Sequence, residues 1–360
     1  PLCLRSGAAG VAYAFYRLAL LREDPHFLGY ADHWALRARQ AGGAESGPAS
    51  LYSGRLGLAT VEALVGHARG ADDAAAAAVD LLAREPFLAD PDLLHGAPGL
   101  LLAAALLLDV VPQPGPVRTA LLATGGRWLA GLWDELSALP EIAAAAALPN
   151  LGLAHGWAGP LYATLRWCGK SGQALPPQLA DRLSQLAEEA EVWGRGRRWR
   201  WYGEAGRKGA ATIPGISGMP GWCNGSAGFV HLFREAEARL GEPRYGALAR
   251  GAAWNAWEAP DADASLCCGW IGRAYALLLQ DRREAGDGGD RVWLWRARDL
   301  ARRAASDLSW AAERPDSLFE GELGLALLAA DLEQPELAAL PLFADEGWTS
   351  PTVRPPVSRA

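Results

Sequence analysis

Cysteine and methionine are scarce in this sequence, and long hydrophobic runs and excess positive charge are missing. Five cysteines (Cys3, Cys168, Cys223, Cys267 and Cys268) in 360 residues do not make the dense disulfide framework of a small secreted domain. Two of the five are adjacent, and vicinal thiols bridge each other only with strain. In a reducing compartment, metal binding is the more economical use for such a pair. The longest purely apolar stretch, Leu100 to Leu108, falls far below the roughly 18 residues that span a bilayer. No charged, apolar, small-residue series marks a signal peptide at the N-terminus. Lys plus Arg is 34 against 41 Asp plus Glu, a formal charge of -7, which argues against a general nucleic-acid binder or a protein that sits on anionic lipid. A soluble, cytoplasmic chain with no transmembrane segment is expected. Residue 1 is Pro and the only Met is Met219, so a piece cut from a longer chain is also expected. Half of the residues are apolar, enough for a large core.

What is abundant is one small pattern: a Gly, two residues, a second Gly, then an apolar helical run. It occurs as SGAAGVAYAF, SGRLGLATVEAL, HGAPGLLLAAAL, HGWAGPLYATL, NGSAGFVHLF, CGWIGRAYALL and EGELGLALLAADL, with first glycines at 7, 54, 96, 156, 225, 269 and 321. Successive copies lie 47, 42, 60, 69, 44 and 52 residues apart, room for one helix forward and one back. The intervening segments have helical periodicity and more charge: His26 to Arg39, Asp72 to Arg84, Val117 to Ser137, Gln178 to Trp193, Tyr245 to Trp257 and Arg291 to Ala312. No alternating strand run competes with them. Helices that are apolar almost all round suit an inner ring, and helices that keep a polar face suit an outer one. The chain is therefore predicted to be all-α: an α/α toroid of seven inner and six outer helices over residues 1–342, with a C-terminal tail over 343–360. The glycines let seven helix ends converge without Cβ clashes.

Side chains just before each first Gly share one mouth: Ser6, Ser53, His95, His155, Asn224, Cys268 and Glu320. His95, Asn224 and Glu320 are candidates for lining a substrate site there. Cys223 precedes Gly225 by two, and Cys267 with Cys268 directly precede Gly269. If the fifth and sixth inner helices are neighbours, three thiols gather at one end of the barrel. Three protein ligands and one vacancy are the arrangement of catalytic zinc, and thiolate softness favours zinc over magnesium or calcium. The competing reading is that these cysteines are small buried hydrophobes.

The seven GxxG copies, the WCNG of copy five and the CCG of copy six resemble the lanthionine synthetase C-like family, the cyclases of lanthipeptide biosynthesis, over nearly the whole chain. The resemblance implies an α/α-toroid lanthionine synthetase that adds cysteine thiols to dehydroalanine or dehydrobutyrine, making thioethers in a ribosomally made precursor peptide. It implies Zn2+ held by Cys223 and Cys267, with Cys268 standing where the family usually has His. His155 in AHGWAG matches the family's active-site His, which protonates the enolate carbon, and Asp92 in DLLHG matches the Asp that orients it. The bland readings remain beside these: a helix-start His bonded to a carbonyl, and an Asp that caps a helix.

The sequence also departs from the family. Met219 stands where family cyclases often have an Arg four before the WC-x-G cysteine, and Asn224 where a Tyr or His follows it. The segment WGRGRRWRWYGEAGRKG, residues 193–209, offers Arg207 or Lys208 as a substitute cation, or Trp199, Trp201 and arginines as a dock for an acidic leader peptide; a solvated loop is the alternative. The family also implies an upstream kinase-like or dehydratase domain in the parent chain. Two other functions compete: a non-catalytic zinc-containing domain that binds peptides or regulates a fused kinase, which the missing Arg favours, and an α/α-toroid glycosidase. The latter needs two carboxylates across a cleft, and only Glu320 of the seven mouth residues is acidic.

Overall fold

The computed structural model describes residues 2–42, 49–71, 73–145, 147–201, 219–260, 263–284, 290–306 and 308–343. Among them are thirteen α-helices. Seven follow the glycine pairs: α1 (Ala8–Arg22), α3 (Arg55–Ala68), α5 (Ala97–Leu107), α7 (Ala158–Ser171), α9 (Ser226–Leu240), α11 (Trp270–Glu284) and α13 (Glu322–Asp331). Each of these packs on the next in turn and α13 packs back on α1, closing a ring. The six others, α2 (Pro25–Gly42), α4 (Asp73–Arg84), α6 (Pro116–Ala138), α8 (Leu179–Glu188), α10 (Pro243–Glu258) and α12 (Val292–Ser306), each lie against the inner helix they follow. This is the α/α toroid the spacing predicts. Where α13 lacks an outer partner among the described residues, a groove of about 770 Å³ runs between α12 and α13.

The repeat has a physical cause. Every residue of α5 is buried, so this inner helix has water on no side. Three residues before each first Gly stands Leu4, Leu51, Leu93, Leu153, Trp222, Leu266 or Leu318, all at most 1 % exposed. The loop carrying this residue folds back over its own helix. A Cβ on the second Gly would lie 2.1 to 2.4 Å from that residue's carbonyl oxygen in all seven copies. The neighbouring copy's apolar side chain fills the remaining space: a Cβ on Gly57 would meet Leu4, on Gly228 Leu153, on Gly272 Trp222 and on Gly10 Leu318. The glycines thus make room for their own loop and for the adjacent copy's knob. Their backbone is extended rather than left-handed at Gly7, Gly54, Gly96, Gly225 and Gly321.

Peptide groups at the same place in each copy link the loops into a second ring. Leu93 N–H donates to Ala154 O (2.9 Å), Ala154 to Cys223 (2.6 Å), Cys223 to Cys267 (3.1 Å), Cys267 to Phe319 (3.2 Å), Phe319 to Arg5 (3.1 Å) and Arg5 to Tyr52 (2.9 Å). The Ser50 hydroxyl completes the circle by donating to Leu94 O. Each loop is thereby tied to its neighbour through backbone hydrogen bonds, which fixes the rim.

Three expectations are corrected. The fourth outer helix ends at Glu188, short of Trp193, and a hairpin follows, β1 (Glu191–Trp193) paired antiparallel with β2 (Gly196–Arg198). Trp199 does not face solvent for docking: it is 1 % exposed, stacks on Phe229 with centroids 4.0 Å apart, and donates to Leu186 O at 2.8 Å. Phe343, taken as the first tail residue, is buried in the barrel. Its ring stacks on Tyr162 at 4.2 Å and meets Trp222 edge-on at 5.4 Å, and Tyr162 donates its hydroxyl to Phe343 O at 2.8 Å. Residues 344–360 lie outside the described residues.

Candidate metal centre

Arginines that the sequence reading passed over hold the scaffold under the site. Arg17 on α1, 1 % exposed, donates to Asp331 on α13 at 2.9 Å, and Tyr275 on α11 donates to the other oxygen of Asp331 at 2.7 Å, tying three inner helices together. Arg273 donates to the carbonyls of Ala256, Trp257 and Ala259 at the end of α10. Arg182 does the same for Leu136, Leu139 and Pro140 after α6. Helix C-termini with orphaned carbonyls gain both hydrogen bonds and a favourable charge this way.

On that frame, four of the loops are capped by the residue four before their first Gly. Ser50, Ser265 and Ser317 accept from the peptide N–H of Ser53, Cys268 and Glu320 at 3.0 to 3.1 Å. Asp92 is the cap of copy three, accepting from Leu94 at 2.8 Å and His95 at 3.0 Å through Oδ1. A carboxylate has a second oxygen, and Oδ2 of Asp92 bonds Nδ1 of His155 at 2.6 Å. Asp92 therefore bonds its own loop and His155 at once; it does not cap α5, whose N-cap is Gly96 with no side-chain hydrogen bond. In copies four and five the cap position is Gly152 and Gly221, because a Cβ there would strike Asn224 Cα at 2.5 Å and the Cys268 carbonyl at 2.4 Å.

Those glycines let the loops of copies four, five and six close up, the last two of which carry the three sulfurs. The sulfurs of Cys223, Cys267 and Cys268 lie within 4.8 Å of one another, and Cys223 to Cys268 is 3.3 Å. Cys223 is buried and the other two are half-buried. Zinc–sulfur bonds of about 2.3 Å at tetrahedral angles put sulfurs about 3.8 Å apart, so the trio fits zinc in both spacing and donor softness. Hydrogen bonds from Cys223 and Cys267 pull Cys268 down to about 3. Cys223 is pushed well up by its bonds to Cys267 and Cys268 and by burial. Cys267 is pushed up to about 12: its bond to Cys223 works the other way, but its bond to Cys268, burial and the Cys268 charge outweigh it. Within the trio the Cys268 proton is thus the most easily lost, and those of Cys223 and Cys267 are held more tightly.

His155 sits on the same mouth, within electrostatic reach of Cys268 and Arg5. Its pKa is raised above 6.5, chiefly by the Asp92 hydrogen bond, against burial and the Arg5 charge. His95 is exposed and its ring lies over that of His155, centroids 6.2 Å apart at 26°. Asn224 donates to the Cys223 sulfur at 3.7 Å, while its Oδ1 is buried without a partner. Glu320 is not a free carboxylate, since Arg5 and Arg314 both bind it. Arg207 and Lys208 lie outside the described residues. Arg5, which the sequence reading did not weigh, is the addition at this rim; its place two before Gly7, the repeat position of Cys223 and Cys267, was the available signal.

A ring of helices with soft metal ligands at one mouth defines a class of toroidal proteins, and the comparisons place the chain within it. The model of the lanthionine synthetase C-like protein family matches residues 1–344, and the chain belongs to that family. Among solved structures, nisin cyclase has the same fold, with a TM-score of 0.65 and 15 % identity over 95 % of this chain and 90 % of that one. No curated protein sequence matches the chain. No helix among the described residues is long and apolar enough to cross a membrane.

Proposed function

We propose that this chain is a zinc-dependent peptide cyclase that joins cysteine thiols to dehydroalanine or dehydrobutyrine in a ribosomal precursor peptide, forming lanthionine or methyllanthionine. The observation that carries the reading is the trio of sulfurs, one buried and two half-buried at the mouth, beside a histidine already paired with a carboxylate. Cys223, Cys267 and Cys268 would hold zinc, which supplies a Lewis acid able to bind and acidify a substrate thiol. The chain's other side chains do the rest. Addition of the peptide thiolate to the alkene leaves charge on the acceptor carbonyl and requires a proton at the α-carbon. His155, protonated over a widened pH range by its bond to Asp92, delivers that proton from Nε2, because Nδ1 is engaged. Asp92 holds the ring while its other oxygen stays in the loop. His95 and Asn224 line the acceptor side.

The peptide would arrive already dehydrated, the work of a kinase-like or dehydratase domain of the parent chain, and a reducing cytoplasm would keep the thiols available. A non-catalytic zinc domain that only binds thiol-bearing peptides is the alternative. One experiment separates them. The chain is loaded with zinc and given a pre-dehydrated, cysteine-containing peptide, and free thiol is counted with time. Loss of thiol at constant peptide mass is expected; tight binding with the thiol intact would establish the alternative.

A further inference from the structure

Two before its glycine, where copies five and six carry Cys223 and Cys267, copy one carries Arg5. Its backbone is pinned on both sides, by its own N–H to Tyr52 O and by Phe319 N–H to its carbonyl. Along the peptide ring only Phe319 separates it from Cys267. The guanidinium is aimed by Glu320, the mouth residue of copy seven, which Arg314 holds from the far side. Arg5 is 35 % exposed in its side chain and Glu320 20 %, so the pair lies at the rim rather than in bulk solvent. Arg5 feels the charge of Cys267 and Cys268, and His155 feels that of Arg5.

The charge balance of the mouth asks for such a group. Cys223, Cys267 and Cys268 as thiolates would outweigh a divalent cation held among them by one negative charge, and the peptide thiolate would add another. When that sulfur bonds to the β-carbon, the alkene pair shifts and the carbonyl oxygen becomes an oxyanion. Protonation of the α-carbon by His155 then restores the carbonyl, with the proton balancing the one the thiol lost. A fixed cation in a partly desolvated mouth stabilises the oxyanion without reorganising. We propose that Arg5 is this counter-cation: held by Glu320, it meets the charge that develops on the acceptor carbonyl and accelerates addition without holding the metal.

The proposal rests on the cyclase reading, and its test separates the two. Arg5→Gln and Arg5→Lys are made in the full chain, and zinc content is measured on the samples used for kinetics. Arg5→Gln should keep wild-type zinc content and lose on the order of 10²-fold in kcat with little change in KM, and Arg5→Lys should recover part of the loss. A second readout needs no peptide. His155 is faced by Asp92, His95, Arg5 and Cys268, so removing the Arg5 charge should raise its pKa in an NMR titration, and Arg5→Lys should not. Unchanged kcat, zinc lost in parallel with activity, or an unmoved His155 titration would each overturn the proposal alone. A wild-type chain that leaves the peptide thiol free would overturn the cyclase reading and this proposal with it.

Discussion

The barrel's mouth and its lumen handle buried polarity in opposite ways. In the lumen the buried charges of Arg17 and Arg234 are paired, and His231, whose two ring nitrogens have no partner among the described residues, is uncharged. Arg17 has Asp331 and the Leu337 carbonyl, and Arg234 has Gln280 at 2.9 Å and Glu284 at 2.6 Å. His231, at the heart of it, is pushed down to about 3 by burial and by Arg282 and Arg166, and so stays neutral against the edge of Phe343. The chain's own segment up to Phe343 enters this space, and a cavity of about 290 Å³ lined by Tyr162, Arg166, His231, Arg234 and Glu235 remains beside it. At the mouth, three thiols face one another, a histidine is paired through only one nitrogen, and an arginine leans over the rim. Polarity that is matched holds the ring closed, and polarity left available at a fixed rim is what chemistry can use.

The contrast can be broken from the lumen side with the largest effect. Asp331→Ala strands the buried Arg17 charge and should cost about 3–5 kcal/mol of unfolding free energy, and Phe343→Ala a similar amount through its cavity, about 3–5 kcal/mol. Urea denaturation reads both, and zinc per folded chain should not change. A cost below about 1 kcal/mol for Phe343→Ala would mean that the segment does not hold the lumen.

From the mouth side, Asp92→Asn should do the reverse. Asn keeps a carbonyl oxygen for the loop N–H groups but lacks the charge that raises His155. Because His155 acts protonated, the alkaline limb of the rate profile should move to lower pH; an unmoved limb would contradict the pairing. The stability linkage has the matching sign. A histidine raised in the folded state contributes stability below pH 6.5 that is lost as pH rises through its folded pKa. With His155 39 % exposed in its side chain, that contribution is about 0–1 kcal/mol. Smallest of all is the outer hairpin. Arg195, over the Trp254 ring at 3.9 Å and paired with Glu258 at the surface, should cost less than about 1 kcal/mol as Arg195→Ala and leave zinc and turnover alone.

The ring was legible because each copy writes its own glycine pair and apolar helix, and seven spacings that each admit a helix pair leave few other architectures. The thiol trio was legible for the same reason: Cys223 and Cys267 hold one repeat position in adjacent copies, so naming the neighbours brings the sulfurs together. Arg5 was hidden because it belongs to copy one, 262 residues from Cys267 by number (267 less 5), and only closure of the ring makes them near neighbours. The leucine ring at Leu4, Leu51 and their equivalents looked like ordinary helix-start hydrophobes, since its knob-and-glycine fit lies between copies. Trp199 misled because a Trp among arginines reads as a surface platform, whereas its indole found Phe229 and a free carbonyl at Leu186. The hairpin before it has no alternating apolar pattern to announce it.

The central claim is that Cys223, Cys267 and Cys268 form a metal centre, and metal content tests it most directly. Purified chain, dialysed against trace zinc and checked for helicity by circular dichroism, is digested for elemental analysis alongside Cys223→Ala. The account predicts one zinc per chain in the wild type and nearly none in the equally helical variant. Zinc missing from well-folded wild type, or retained in full by Cys223→Ala, would contradict it.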